Sequence, residues 1–204
     1  MNKSSQQINP IEEFYLAASG YCRLTEGAQE NNKIDFLSKS QKILTLIYLK
    51  SSLLDKSEEA QEGEVEKFVQ EEDWAYIQNA VASRIGTSDR FIEVLLPENG
   101  DPNNIESENF SDCFADIYQD LKDFVLTYEF GNPDAIKVSL SDCMINFDKI
   151  WGPKLLAVLV NIHSIINGTT IIDEEDELMD ENNDSEHKSS TSNWLINQRF
   201  NQEE

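Results

Sequence analysis

The sequence predicts an all-α fold: an antiparallel helical bundle of about five helices over residues 1–168, followed by a disordered acidic tail over 169–204. Three observations predict it. Apolar residues recur at steps of three and four through 74–85, 110–128 and 140–162, the rhythm of helices that bury one face. Helix punctuation stands between these runs, in Asn9-Pro10, Gly86, Gly131-Asn132-Pro133 and Asn167-Gly168. Beyond Gly168 the chain becomes acidic and low in complexity, and such a composition buries too little apolar surface to offset the entropy of ordering it.

Taken in order, Asn9-Pro10-Ile11-Glu12 starts the first helix, with Asn9 as N-cap, Pro10 at the first helical position and Glu12 placed to close a capping box. That helix runs to about Gly27. Asn32 caps a second, in which Ile34, Leu37, Leu44, Ile47, Tyr48 and Leu54 keep to one broad face until about Lys56. Residues 57–69 read as an acidic flexible loop, since SEEAQEGEVE holds five glutamates and a glycine. A third helix spans about Glu71 to Ile85 through Trp74, Ile77, Val81 and Ile85, and Gly86 stands where a left-handed C-terminal cap is wanted.

FIEVLL at 91–96 is too short to distinguish a strand from a buried helical turn, and Pro97, Asn99-Gly100 and Pro102 mark a loop after it. A fourth helix begins about Ser107 and carries Phe110, Phe114, Ile117, Leu121, Phe124 and Tyr128. Gly131-Asn132-Pro133 ends it and starts the next, a link short enough to fold two helices back antiparallel. The last helix carries Leu140, Met144, Phe147, Trp151, Leu155, Val158 and Ile162. Pro153 interrupts it and clashes with the carbonyl of Lys149, so a kink or a fresh start is expected at Gly152-Pro153. In the tail, WLINQRF at 194–200 is a short amphipathic patch.

A chain of 204 residues with 39% hydrophobic side chains has material for one domain with a real core. The apolar run LLAVLV at 155–160 is far short of the roughly 20 residues that span a bilayer, and the first ten residues hold no signal-like apolar region. Three dispersed cysteines, Cys22, Cys113 and Cys143, suit a reducing cytoplasm better than a disulfide framework. A formal charge of -23 opposes phosphate polymers and anionic membranes, so neither direct nucleic-acid binding nor membrane binding is expected.

Asp116 and Asp120 stand one helical turn apart, a spacing from which two carboxylates share a divalent cation. They are the candidate metal ligands, for a Mg²⁺- or Mn²⁺-dependent hydrolase of a phosphate ester. Against this, Asp112 and Asp116 fall outside the apolar face centred on Ile117, with Asp120 at its boundary, so solvated acids near a helix N-terminus are the simpler reading. Lys122 reads as a surface lysine. His163 lies one turn after Leu159, on the apolar side of the last helix, and reads as a packed, hydrogen-bonded imidazole; no H-x-x-x-H or E-x-x-H supplies it with co-ligands. The cysteines read as small hydrophobes filling core gaps. Gly152 beside Trp151 marks a kink or a close approach of another element, with Trp151 as the anchor. No phosphate-cradling glycine loop and no nucleophile elbow occurs, and no cofactor is implied.

DIYQDLK at 116–122, GNPDA at 131–135, F-x-x-x-W-G at 147–152 and His163 twelve residues after Trp151 together resemble a bacterial family catalogued as domain of unknown function 5063. The resemblance covers about residues 10–167, with RFIEVLLP at 90–97 a weaker match. It implies a helical fold and brings no established activity, so Asp116, Tyr118, Asp120, Lys122, Trp151 and His163 carry over as family-like positions without assigned roles. The sequence favours a non-enzymatic cytoplasmic protein-interaction module with an acidic surface and a protein partner. An acidic mimic of nucleic acid, occupying the basic cleft of a nucleic-acid-processing enzyme, is a further alternative. Any apolar stripe that the bundle leaves uncovered would favour a helix-in-groove contact.

Overall fold

The computed structural model describes residues 9–54, 66–96 and 104–168; the acidic tail and most of the expected acidic loop lie outside these. The described residues form α1 (Pro10–Glu26), α2 (Lys33–Leu53), α3 (Glu71–Ile85), β1 (Phe91–Leu95), β2 (Ile105–Asn109), α4 (Phe110–Phe130), α5 (Pro133–Asn146) and α6 (Gly152–Ile166). Short 3-10 turns at Ala28–Glu30 and Gly86–Ser88 follow α1 and α3, and a π-helical turn, Phe147–Trp151, joins α5 to α6 without a break. The architecture is therefore the expected helical bundle, with one two-stranded antiparallel sheet added to it.

The caps form largely as their chemistry requires. Asn9 Oδ1 accepts from Ile11 N–H at 3.0 Å, Asn32 Oδ1 from Asp35 N–H at 2.8 Å, and Asn132 Oδ1 from Asp134 and Ala135 N–H. Gly131 takes φ 74° and ψ 12°, the left-handed cap expected of it. Gly86 also has positive φ, 55°, but its ψ of -129° lies outside the left-handed helical region and sends the chain into a 3-10 turn towards β1. At α3 the sequence conceals a capping box in Gln70 and Asp73, each side chain accepting from the other's backbone N–H.

α4 lies at the centre, packing against α1, α3, α5 and α6, while α2 packs on α1 and α6. Phe110, Phe114, Ile117, Leu121 and Phe124 are fully buried, as are Trp151, Leu155, Val158 and Ile162 of the last helical stretch. On α2, Leu37, Leu44 and Ile47 are buried, but Ile34 and Tyr48 are exposed; the apolar face is narrower than its sequence suggests. No helix among the described residues is long and apolar enough to cross a membrane.

Two boundaries differ from expectation. FIEVL is a strand, pairing from Phe91↔Asn109 to Leu95↔Ile105, with Ile92 and Val94 buried and the strand packed on α6. Ser107 consequently belongs to β2, and α4 begins three residues later, at Phe110. Asp89 fixes that start from outside the helix, its Oδ1 accepting from Ser111 N–H and its Oδ2 from Ser111 Oγ–H, both at 2.9 Å.

The interruption expected at Gly152-Pro153 is a π turn. Gly152 N–H donates to the carbonyl of Phe147, five residues back, which widens the helix just where Pro153 would otherwise press on it. The glycine is required by this approach: a Cβ on Gly152 would lie 2.2 Å from the Phe147 carbonyl oxygen and 3.0 Å from its ring. The close neighbour is thus the helix's own backbone and not another element. Gly152→Ala is expected to destabilise the domain by about 2–4 kcal/mol, because backbone must shift to admit the methyl group. Urea denaturation measures this, and a loss below about 1 kcal/mol would show that the π turn relaxes freely.

Candidate functional site

The carboxylates of α4 line the seam between α3 on one side and α5 and α6 on the other. Asp112, Asp116, Asp120 and Asp123 follow at steps of four, four and three, and the partners of the last three come from other elements. Asp116 Oδ1 accepts from the Trp74 indole N–H at 2.7 Å, and Asp116 Oδ2 pairs with Lys154 Nζ of α6 at 2.5 Å. Lys154 also pairs with Glu108 Oε2 of β2 at 2.7 Å, and Cys113 directs its thiol at the same oxygen. Burial alone would lower the Lys154 pKa, but its bonds to Asp116 and Glu108 prevail and raise it. Asp116 is therefore not a solvated acid: its side chain is 27% exposed and held from two directions.

Asp120, one turn on, turns to a different neighbour. Its Oδ1 accepts from Asn146 Nδ2–H of α5 at 2.7 Å. Burial pushes its pKa up to about 6, against the pull of that hydrogen bond and of the Lys67 charge, with Asp123 and Asp142 adding to the rise. Asp123 is almost completely buried, and its Oδ1 accepts from the backbone N–H of Phe68 and Val69 at 2.8 and 3.0 Å. It thereby ties residues 68 and 69, expected as part of a flexible loop, to the middle of the bundle. Lys67 completes this end of the seam, 3.7 Å from Asp123 Oδ2 and 2.8 Å from Asp142 Oδ2.

The other family-like positions separate into two groups. Tyr118 and Lys122 sit on the α1 side of α4, where both bond Glu26 Oε1, at 2.9 and 2.8 Å. Lys122 is buried, which corrects the surface reading; Glu26 in the last turn of α1 provides its counter-charge. Trp151 is fully buried and donates its indole N–H to the Cys143 carbonyl at 2.9 Å. His163 is exposed, contrary to the packed imidazole expected, because the buried face of α6 runs through Val158, Ile162 and Ile165 and turns the neighbouring position outward. The three thiols are buried and unpaired, and burial raises the pKa of each, so none is activated as a nucleophile.

Asp116 and Asp120 are thus drawn to different elements, and no three His, Cys, Asp or Glu side chains among the described residues converge as metal ligands would. Sequence reasoning missed Lys154, Trp74 and Glu108 at the centre of the network. Lys154 had a legible signal: it stands three residues after Trp151 and four before Val158, a lysine in a buried register.

A second surface has a different character. Along α2 the positions 35, 39, 42, 46, 49 and 53, at alternating steps of four and three, all face solvent: Asp35, Lys39, Lys42, Leu46, Leu49 and Leu53. The three leucines are 40%, 51% and 63% exposed, on the side of the helix opposite its core residues Leu37, Leu44 and Ile47. α2 carries four lysines against one aspartate in a chain of net charge -23.

These features define a small helical-bundle domain whose central carboxylates are bound internally and whose second helix offers a basic, leucine-bearing face. The chain belongs to the family described as Domain of unknown function (DUF5063), whose model matches residues 7–167. It is similar to protein BF1032 from Bacteroides fragilis, known from a crystal structure, with 31% sequence identity and a TM-score of 0.66 over 77% of this chain and 92% of that one. Comparison with curated proteins gave no match.

The pKa of Asp120 makes a sign-definite prediction. Between about pH 4 and 6 the folded state holds a proton that the unfolded chain has released, so Asp120 makes stability fall as pH rises through that window. Asp120→Asn, whose side-chain oxygen still accepts from Asn146, should gain on the wild type across the window, by up to about 3 kcal/mol. Paired melting curves from pH 4 to 7.5 read the difference, and a difference that does not change with pH would refute the shift.

Proposed function

We propose that this domain is a non-enzymatic protein-interaction module working in the reducing cytoplasm, and that the outward face of α2 is where it binds. The observation that carries the reading is the exposed seam of Leu46, Leu49 and Leu53 continued by Lys39 and Lys42. Apolar residues at alternating steps of three and four are the spacing at which one helix receives another, and no core requirement explains three leucines pointing away from the bundle. The lysines select the partner's chemistry: an amphipathic segment whose apolar residues are flanked by acids.

The α4 carboxylates fit a structural role better than a catalytic one. Asp116, Asp120 and Asp123 each accept from or pair with groups on other elements, joining α3, the segment ahead of it, α5 and α6 to the central helix. Three free, buried thiols agree with a reducing compartment.

Tagged wild type and the triple variant Leu46→Glu, Leu49→Glu, Leu53→Glu, used side by side to capture proteins from cell extract, test the reading. Because the three side chains are exposed, the melting temperature should change by no more than about 2 °C. Proteins bearing acid-flanked apolar segments should be retained by the wild type and reduced at least about tenfold on the variant. Equal retention by both would place the interaction elsewhere, and retention lost instead on Asp116→Asn would move it to the α4 seam.

A further inference from the structure

We infer that the outward face of α2 is occupied in the resting protein by this chain's own C-terminal tail, with WLINQRF at 194–200 on Leu46, Leu49 and Leu53 and the acidic stretch 173–186 on Lys39 and Lys42. This rests on the reading of α2 as the binding face and gives that face its first ligand. The tail lies outside the described residues, and its sequence alone enters the argument.

The first support is chemical. Residues 173–186 hold nine acidic side chains and no basic one, while the outward face of α2 bears Lys39 and Lys42, both exposed. The partner of Lys39 is the neutral amide of Asn31, which leaves its charge to act outward. WLINQRF then supplies Trp194, Leu195, Ile196 and Phe200 for an apolar face that nothing among the described residues covers.

The second support is order along the chain. Tyr48, in the C-terminal half of α2, packs against Phe147 just before α6, with ring centroids 5.4 Å apart. At the other end of α6, Asn161 accepts from Arg90, and Arg84, six residues before Arg90, donates to the carbonyls of Ala28 and Gln29 ahead of α2. α6 therefore runs antiparallel to α2 and delivers Gly168 to the N-terminal end of α2. From there a chain travelling along α2 meets Lys39 and Lys42 first and the leucines afterwards. The tail presents its acids first and its apolar patch afterwards, in the same order.

Length permits the match. Twenty-five residues separate Gly168 from Trp194. They reach up to roughly 80 Å when extended, against about 30 Å for the whole of a 21-residue helix. Because the tether is short, the tail is present at high effective concentration and competes with any external segment for the same face.

Amide hydrogen exchange on the full chain tests the inference. Exchange at residues 194–200 should be slowed at least about tenfold relative to an unstructured peptide, independently of protein concentration. The protection should weaken as salt rises from about 0.05 to 0.5 M. It should vanish in the Leu46→Glu, Leu49→Glu, Leu53→Glu variant. Unprotected exchange in the wild type overturns the inference. So does protection that disappears on dilution, which would assign the face to a second copy of the chain, and so does protection that survives the leucine substitutions. None of these outcomes touches the capture experiment, which stands or falls on external partners. As a second arm, Trp194→Ser, Leu195→Ser, Ile196→Ser should raise capture by the face, since it removes the resident competitor and leaves α2 intact; capture that stays unchanged would argue against competition.

Discussion

A helix buried on most of its circumference must have every polar side chain met by protein, and α4 is such a helix. Of its 21 residues, 14 are buried. Its sequence nevertheless includes Asp116, Asp120, Lys122 and Asp123, and leaving any of these without a partner in a low-dielectric setting would cost several kcal/mol. The surrounding elements are placed so as to answer them. Glu26 closes α1 onto Lys122 and Tyr118, Trp74 and Lys154 bring α3 and α6 to Asp116, Asn146 brings α5 to Asp120, and the backbone ahead of α3 is secured by Asp123. Apolar burial supplies the driving force of such a bundle, while these pairings restrict which helix lies beside which.

The parts of this arrangement that depend on one helix and its solvent boundary were legible in the sequence. The seams of α3, α4 and α6 are visible as spacing, and the Gly131-Asn132-Pro133 corner follows from the backbone preferences of those three residues. The parts that depend on a second or third neighbour were not. A wheel centred on Ile117 identifies the face of α4 that is most apolar, but α1 and α3 also cover its flanks, so Lys122 and Asp116 are drawn inside although they sit beside the seam. The opposite error occurs at His163. Leu159, one turn earlier, is itself only half-buried, and nothing packs far enough along that side to enclose the imidazole. β1 stayed ambiguous because so short an apolar run has no period long enough to measure, and β2 escaped recognition because IESEN holds a single apolar residue.

Charge is distributed in this protein more sharply than its total implies. Asp116 and Asp123 of α4 are paired internally with Lys154 and Lys67, Lys39 and Lys42 of α2 face outward, and the densest run of acids follows α6. A uniform acidic surface, suggested by the composition, would repel other anionic chains over its whole area. The segregated arrangement leaves one face attractive to acids on a body that otherwise repels them, and this narrows the orientations in which a charged segment approaches.

The fastening of Phe68 and Val69 to Asp123 bears on how the length of this chain is free to drift. Leu54 is buried at one end of the segment between α2 and α3, and Val69 is buried at the other. With both ends fixed by the bundle, added or removed residues between them alter the folded state mainly through the closure of a chain whose end points do not move. Doubling such a segment costs only about 0.6 kcal/mol. Insertions and deletions are therefore tolerated between Leu54 and Lys67 far better than in the middle of α4, where removing one residue would rotate everything after it by about 100° and take Leu121 and Phe124 off the core.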